Sequence, residues 1–281
     1  MKNNTVVSKK ILGPNVKQIE VVSPVIAQKA QPGQFVILRV NQSGERIPLT
    51  VVEKDNSKGT ITLVFQEIGK TTKFLGELEP GEKLHDLVGP LGHPTEIKNY
   101  GTVIVVGGGV GIAEILPVSK AMKQAGNKII GIIGARTKEL LIFEDEMRAV
   151  CDELYITTDD GSYGQKGFVS DVLQSLISHS SFLIILVYAV GPVPMMKKVC
   201  EVTKSYNIKT IVSLNPIMVD GTGMCGSCRV SVSGQTKFAC VDGPEFDGHL
   251  VNWAELEARL KLFKEQEKVA LDEYQKNVAQ L

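Results

Sequence analysis

Only five cysteines and one tryptophan occur in the 281 residues, and neither sign of charge is in excess. Thirty-one basic residues face thirty-one acidic ones, for a formal net charge of +0, which removes the electrostatic case for a nucleic-acid partner or an anionic membrane surface. The N-terminal residues MKNNTVVSKKIL lack the apolar run of a secretory signal. The most apolar stretch, Phe182 to Val190 (FLIILVYAV), falls far short of the ~20 residues of a membrane helix and reads as a buried parallel strand. With no targeting segment and an odd cysteine count, the chain is expected in a reducing cytoplasm, where disulfides do not persist. A composition 43% hydrophobic and 22% charged is that of an ordinary globular protein, and the length favours two domains with sizeable cores.

What is present is uneven. Three of the five cysteines fall between Met218 and Cys240, in MVDGTGMCGSCRVSVSGQTKFAC. Cys225 and Cys228 form C-x2-C, Cys240 follows, and Asp220 precedes Cys225 with four residues between, so the pattern is D-x4-C-x2-C-x11-C. Clustered thiolates of this kind hold zinc or an iron-sulfur cluster, each of which takes four ligands in a closed site. The spacing is close to the C-x4-C-x2-C of plant-type [2Fe-2S] ferredoxins, with aspartate where the first cysteine would be. Three readings stay open on the residues alone: buried structural cysteines or a disulfide, a structural zinc, and a [2Fe-2S] cluster. Gly221, Gly223 and Gly226 favour the cluster, because bare backbone can close around bridging sulfides. Cys151 and Cys200, in helical apolar surroundings, read as core.

From Thr5 to about Leu91, short β-branched runs (VKQIEVV, GQFVILRV, IPLTVVEK, TITLVFQEI) alternate with turn residues, the pattern of a closed antiparallel barrel. The first helix signal comes at Thr71–Leu75. Two motifs sit on this frame. Arg46-Ile-Pro48-Leu49-Thr50 offers a guanidinium and a hydroxyl at the lip of a strand, suited to a diphosphate. Gly69-Lys70-Thr71-Thr72 follows the strand ending near Gln66; Thr71 or Thr72 caps a helix whose positive N-terminus favours phosphate. Gly89-Pro-Leu-Gly92 closes the barrel.

Thr102 to Leu214 alternates apolar strands (TVIVVGG, KIIGIIGA, ELYITTDD, FLIILVYAVG, KTIVSL) with amphipathic helices, which means a parallel sheet with right-handed crossovers. Gly107, Gly108, Gly109 and Gly111, with Ile112 and Ala113, form a glycine turn directly after a strand, where a diphosphate can approach a helix N-terminus. It departs from strict G-x-G-x-x-G at Ile112. Pro117 predicts a kink or a late start in the helix Ile112 to Gln124. Arg136, Asp159, Asp160, Gly191 and Pro192 follow other strand ends and should line the same crevice.

The order of these parts resembles the ferredoxin-NADP reductase superfamily over about residues 5 to 250. Within it the chain is similar to electron-transfer subunits of dihydroorotate dehydrogenase B and to the small-subunit family of NADH-dependent ferredoxin:NADP oxidoreductase, also called sulfide dehydrogenase subunit beta. The residues carrying the resemblance are Arg46 to Thr50, Gly69 to Thr72, Gly107 to Ala113, Thr158-Asp-Asp-Gly-Ser162, and SLNPIMVDGTGMCGSCRV with FACVDGPEFDG. Asp220, where dihydroorotate-type subunits carry cysteine, favours the second family. Two departures stand out: Arg46 precedes Thr50 by four residues rather than three, and Val190 replaces the superfamily's cysteine before Gly-Pro.

The resemblance implies an FAD-binding antiparallel β-barrel (1–98), a Rossmann-like parallel α/β domain for NAD(H) (99–217), a [2Fe-2S] segment (218–250) and a C-terminal helix (251–281). It implies FAD at Arg46, Pro48, Leu49, Thr50, Gln66, Gly69, Lys70, Thr71 and Thr72. NAD(H) then falls to the glycine turn with Arg136, Asp159, Asp160, Gly191 and Pro192, and the cluster to Asp220, Cys225, Cys228 and Cys240. No side chain is required as an acid or base, since hydride and electron transfer are cofactor chemistry. The implied function is an oxidoreductase subunit passing electrons between NADH, FAD and the cluster to a larger subunit that carries its own flavin and [4Fe-4S] clusters, within an electron-bifurcating enzyme. Ferredoxin and NADP(H) are then met only through that heterodimer partner. The alternatives are the electron-transfer subunit of dihydroorotate dehydrogenase B and, from another class, a zinc-stabilised NAD(H)-binding regulatory module. The helical tail, with Trp253, Leu256, Leu260, Phe263 and Tyr274, either caps its own domain or docks on the larger subunit.

Overall fold

The computed structural model of the protein describes residues 2–179 and 183–278. Phe182, expected to open a strand, and Ala279 to Leu281 of the tail lie outside the described residues. The first unit contains β1 (Val6–Gly13), β2 (Val16–Val22), α1 (Pro24–Lys29), β3 (Phe35–Arg39), β4 (Arg46–Asp55), β5 (Thr60–Gln66), α2 (Lys70–Glu77) and β6 (Asp86–Leu91). Its strands form one antiparallel sheet in the order β1-β2-β5-β4-β3-β6. The sheet curls until its ends meet: the Val6 N–H donates to the Glu82 carbonyl at 2.8 Å, and the Gly81 N–H donates back to Val6 at 2.8 Å. Ile19, Val21, Val36, Leu38, Ile61, Leu63 and Phe65 fill the interior, the inward set that period-two alternation assigns to one face.

The helix α1 is a correction, because the reading of the sequence expected no helix before Thr71. Pro24 opens it, pre-setting φ where a missing N–H costs nothing. Ile26 and Ala27 anchor it to the barrel core.

The second unit contains β7 (Thr102–Gly108), α3 (Gly111–Gln124), β8 (Lys128–Ala135), α4 (Glu144–Val150), β9 (Glu153–Thr158), β10 (Gln165–Lys166), α5 (Val169–His179), β11 (Ile184–Val190), α6 (Val193–Ser205) and β12 (Lys209–Ser213). The cysteine-rich segment adds β13 (Arg229–Val232), β14 (Gln235–Phe238) and β15 (Glu245–Asp247), and the chain ends in α7 (Trp253–Arg259) and α8 (Lys264–Val278). Sheet order is β10-β9-β8-β7-β11-β12-β15, parallel from β10 to β12 and antiparallel at β15. Central strands β7 and β8 are buried almost throughout, as expected where helices cover both faces. Pro117 does not delay α3, which starts at Gly111 and runs through it.

The tail turns back on its own chain. Tyr274 of α8 packs edge-on against Phe74 of α2 with ring centroids 6.5 Å apart, and its hydroxyl donates to Glu77. Among the described residues no helix is long and apolar enough to cross a membrane.

Candidate functional site

Strand order reverses beside β7: β8 and β9 lie on one side, β11 and β12 on the other. Loops leaving β7 and β11 therefore diverge and open a crevice at the carboxyl edge, the place where open α/β sheets bind ligands. The two loops are in close contact. A Cβ on Gly111 would lie 2.3 Å from the Val190 carbonyl oxygen, so only glycine lets α3 begin this near β11. A cleft of about 670 Å³ opens here. It is lined by Gly108, Gly109, Arg136, Asp159 and Pro192, the five expected here from the sequence, and, from the barrel, by Gln66, which the resemblance assigns to FAD.

Other expected residues serve from beneath or stand aside. Ile112 and Ala113 are fully buried, so only their backbone faces the turn. Gly107 is packed under Ile115, and Gly191 lies against Gly108. Asp160 is not among the cleft residues; its Oδ1 accepts the Ser162 N–H at 2.9 Å and hydroxyl at 2.7 Å. The sequence reading missed Phe168, Met195 and Lys198, which also line the cleft. Phe168 is a large apolar side chain left 60% exposed at its mouth, a feature that strand and helix periodicity does not reveal.

On the barrel, the Arg46–Thr50 and Gly69–Thr72 motifs meet. The Thr71 hydroxyl donates to the Glu45 carboxylate at 2.8 Å, tying the N-terminus of α2 to the residue before Arg46. The Thr72 hydroxyl accepts the Gly69 and Ile68 N–H groups at 3.1 Å each, so the local cap belongs to Thr72 and leaves Thr71 for the lip. The exposed Arg46 guanidinium stands 3.8 Å from Asp86, whose carboxylate is already engaged by Arg39 at 2.6 Å. Lys70 is exposed, and Pro48 and Leu49 are half-buried along β4. At the far end of the motif the Thr50 hydroxyl donates to Glu114 of α3 at 3.0 Å. Burial pushes the Glu114 carboxyl above its ordinary value, and the Thr50 bond offsets this only in part.

The cysteine segment is organised by a hairpin. Arg229 pairs with Phe238 across β13 and β14, and the Ala239 N–H donates to the Cys228 carbonyl at 3.1 Å. That register brings Cys228 and Cys240, each just outside the ladder, to an Sγ–Sγ distance of 3.2 Å with both thiols free. Cys225 is exposed, its sulfur 3.0 Å from the Ser227 hydroxyl, a contact that lowers its thiol. Cys240 is pushed up to about 12 by burial and by its neighbour Cys228. Asp220 accepts the Thr222 N–H at 2.8 Å and the Cys225 N–H at 2.7 Å, which holds its carboxyl below the usual range. Gly221 adopts φ +75°, and a Cβ there would lie 2.6 Å from Leu91 and 2.9 Å from Ile37. The loop thus presses on β3 and β6 of the barrel. Among the described residues no three of these donors converge as a metal site; as donor types, three thiols and a carboxylate are those an iron-sulfur group takes. Cys151 and Cys200 take no part; burial pushes both thiols up to about 12.

A buried acid ties the three parts together. Glu245 on β15 accepts the Thr95 hydroxyl at 2.5 Å and the Tyr188 hydroxyl at 2.7 Å. Thr95 lies between barrel and sheet, and Tyr188 lies on β11. Burial raises the Glu245 carboxyl above its ordinary 4.5, so the folded chain keeps a proton that the unfolded chain loses. The stabilisation is complete below 4.5 and is lost as pH climbs towards the raised value. Urea unfolding across that range should show stability falling with pH. Glu245→Gln, whose amide oxygen can still accept both bonds, should flatten part of the fall; an unchanged slope would exclude Glu245 as its source.

Three family profiles match in chain order: an oxidoreductase FAD-binding domain over residues 3–95, an oxidoreductase NAD-binding domain over 105–201, and the iron-sulfur cluster binding domain of dihydroorotate dehydrogenase B over 215–252. A Thermotoga maritima protein named as a homolog of the electron transfer subunit of dihydroorotate dehydrogenase B (NAD(+)) is 48% identical over 99% of this chain and 97% of its own length. The electron transfer subunit of that enzyme from Geobacillus thermodenitrificans is 33% identical over 86% and 95%. Among solved structures, a chain of the NADH-dependent reduced ferredoxin-NADP oxidoreductase, studied for flavin-based electron bifurcation, superposes with a TM-score of 0.92 at 47% identity, covering 98% of both chains. With its FAD-, NAD- and iron-sulfur-binding parts in this order, the chain belongs to the oxidoreductase family of electron-transfer subunits typified by that of dihydroorotate dehydrogenase B, on a ferredoxin-NADP reductase-like fold.

Proposed function

We propose that the chain is the NAD(H)-side subunit of an electron-bifurcating NADH-dependent ferredoxin:NADP oxidoreductase, working in a reducing cytoplasm beside a larger flavin and [4Fe-4S] subunit. The observation that carries the reading is end-to-end similarity to a chain of such an enzyme, at 47% identity over 98% of both. Free thiols on all five cysteines accord with the compartment.

Each part of the work falls to residues already described. Arg46, the backbone at Gly69 and Lys70, and Thr71 would hold the FAD diphosphate, and Pro48, Leu49, Thr50 and Gln66 would complete the flavin site. The turn Gly107–Ala113 would take the diphosphate of NAD(H), with Arg136, Asp159, Gly191 and Pro192 completing that site. Asp220, Cys225, Cys228 and Cys240 would ligate a [2Fe-2S] cluster. When bound, flavin accepts hydride from nicotinamide and releases its electrons singly, which a one-electron cluster can relay. The protein's own share is orientation, exclusion of water and placement of charge.

The second reading is the electron-transfer subunit of dihydroorotate dehydrogenase B, favoured by the names of the Thermotoga and Geobacillus relatives. Anaerobic reconstitution with each candidate partner decides between them. The expected result is NADH- and ferredoxin-dependent reduction of NADP+ with the large flavin and iron-sulfur subunit. Dihydroorotate oxidation linked to NAD+ with a dehydrogenase chain, and no reaction with the other, would overturn it.

A further inference from the structure

Glu114 takes no part in the chemistry described so far, yet it sits where the two domains touch. It occupies the first turn of α3, directly after the glycine turn, and reaches across to Thr50 on β4 at 3.0 Å. A carboxyl in a desolvated interface is costly unless a cation or several donors compensate it. Here the compensation is one hydroxyl. No ion pair to Glu114 is found among the described residues.

The charged groups on the elements packed around it pair with other residues or stand in solvent; Asp55 at the end of β4 pairs with Lys58, and Asp145 and Glu146 of α4 are exposed. On β4, Arg46 stands beside Asp86, Glu53 pairs with Lys120 of α3, and Lys54 donates to the Ala30 carbonyl. On β8, Lys128 pairs with Glu153; on α4, Arg148 pairs with Glu144; β7 carries no ionisable side chain. β11 presents Tyr188, whose hydroxyl is donated to Glu245 and which lies within electrostatic reach of Glu114.

We propose that Glu114 is a positioning residue of the flavin site: it fixes the Thr50 hydroxyl and, by changing its own protonation, makes the flavin's affinity for electrons depend on pH. The inference rests on the placement of FAD along Arg46–Thr50. A negative carboxylate beside the flavin disfavours added electrons, whereas a neutral acid does not. By linkage, reduction of the flavin then raises the affinity of Glu114 for a proton by the same factor. Over the pH interval between the two protonation equilibria, more protons are taken up per electron pair, so the midpoint potential falls more steeply with pH than on either side.

The test is potentiometric titration of the FAD-loaded protein from about pH 5 to about pH 9, for the wild type, Glu114→Gln and Glu114→Asp. The wild type should show the steep interval, Glu114→Gln should lose it while keeping one FAD per chain, and Glu114→Asp should retain it at a displaced pH. A steep interval that persists in FAD-loaded Glu114→Gln overturns the proposal and leaves the flavin placement intact. Failure of the wild type to bind FAD, or full FAD affinity in Thr71 and Arg46 variants, would count against the placement itself. A second measurement needs no flavin: the infrared carbonyl band of protonated carboxyls in the apoprotein, followed from about pH 5 to about pH 9. Glu245→Gln removes the share of the other buried acid, and the band that remains and fades with rising pH should be missing in Glu114→Gln. Should Glu114→Gln not fold, absence of any band that titrates in this range in Glu245→Gln overturns the proposal on its own.

Discussion

Replacing Cys228 by serine is expected to strip the chain of iron and acid-labile sulfide while FAD stays bound. Cys228 is 1% exposed and 3.2 Å from Cys240, so a serine oxygen there cannot swing out to be replaced by another donor. Loss of outer-shell partners alone lowers metal affinity about 10- to 100-fold, and loss of a ligand should exceed that. The cluster loop meets the barrel through Gly221 against Ile37 and Leu91, and the substituted thiol belongs to neither the Arg46–Thr50 nor the Gly69–Thr72 motif, which is why flavin content should not change. Cys225→Ser and Cys240→Ser should behave alike. NADH should still bleach the flavin of each variant in an anaerobic stopped-flow experiment, and the electrons should then fail to leave it. Full iron content in any one variant would remove that cysteine from the ligand set. Asp220 calls for the opposite substitution, because its carboxylate already accepts two backbone N–H groups. Asp220→Cys should alter the cluster's potential and EPR spectrum, and identical values would make Asp220 a brace for the loop only.

Arg46→Ala should weaken FAD binding by about 10- to 100-fold, the worth of one charge-assisted hydrogen bond to a diphosphate, roughly 1.5–3 kcal/mol. Arg46 is exposed, and its contact with Asp86 at 3.8 Å is looser than the 2.6 Å grip of Arg39 on the same carboxylate. The guanidinium is therefore available to a ligand, and removing it should shift the unfolding of the apoprotein by less than about 0.5 kcal/mol. Arg46→Lys should recover part of the affinity, since an ammonium keeps the charge and loses the two-pronged geometry. Calorimetric titration of apoprotein with FAD reads the effect. An unchanged dissociation constant would move the diphosphate away from β4.

The parts of this fold that repeat were readable in the chain. Alternating β-branched residues marked β2 to β5, and the run TVIVVGG followed by Gly111-Ile-Ala marked β7 and α3, because burial of both faces forces nearly uninterrupted apolar sequence. Short elements left no such trace. α1 spans six residues and β15 three, too few for a period to show. The division between Thr71 and Thr72 was open in the sequence, since either hydroxyl can cap a helix, and it is their partners that separate them, the Gly69 N–H for Thr72 and Glu45 for Thr71. Cys228 and Cys240 are brought together by hairpin register, which spacing alone does not specify. Glu114 was invisible for a different reason: on an isolated helix its position in the first turn is what the helix dipole favours, and its burial arises from a strand some 60 residues earlier in the chain.

The segment that carries the cysteines is held at both ends by different bodies. Gly221 is wedged on the barrel, and β15 is hydrogen-bonded to β12 and pinned through Glu245 to Tyr188 and Thr95. The segment is thus a tie-bar between the barrel and the parallel sheet. A tie-bar fixes length. Any hinge motion that opens the crevice to admit or release nucleotide must drag the thiols with it, so the gap across which electrons hop is gauged by the same contacts that hold the domains in register.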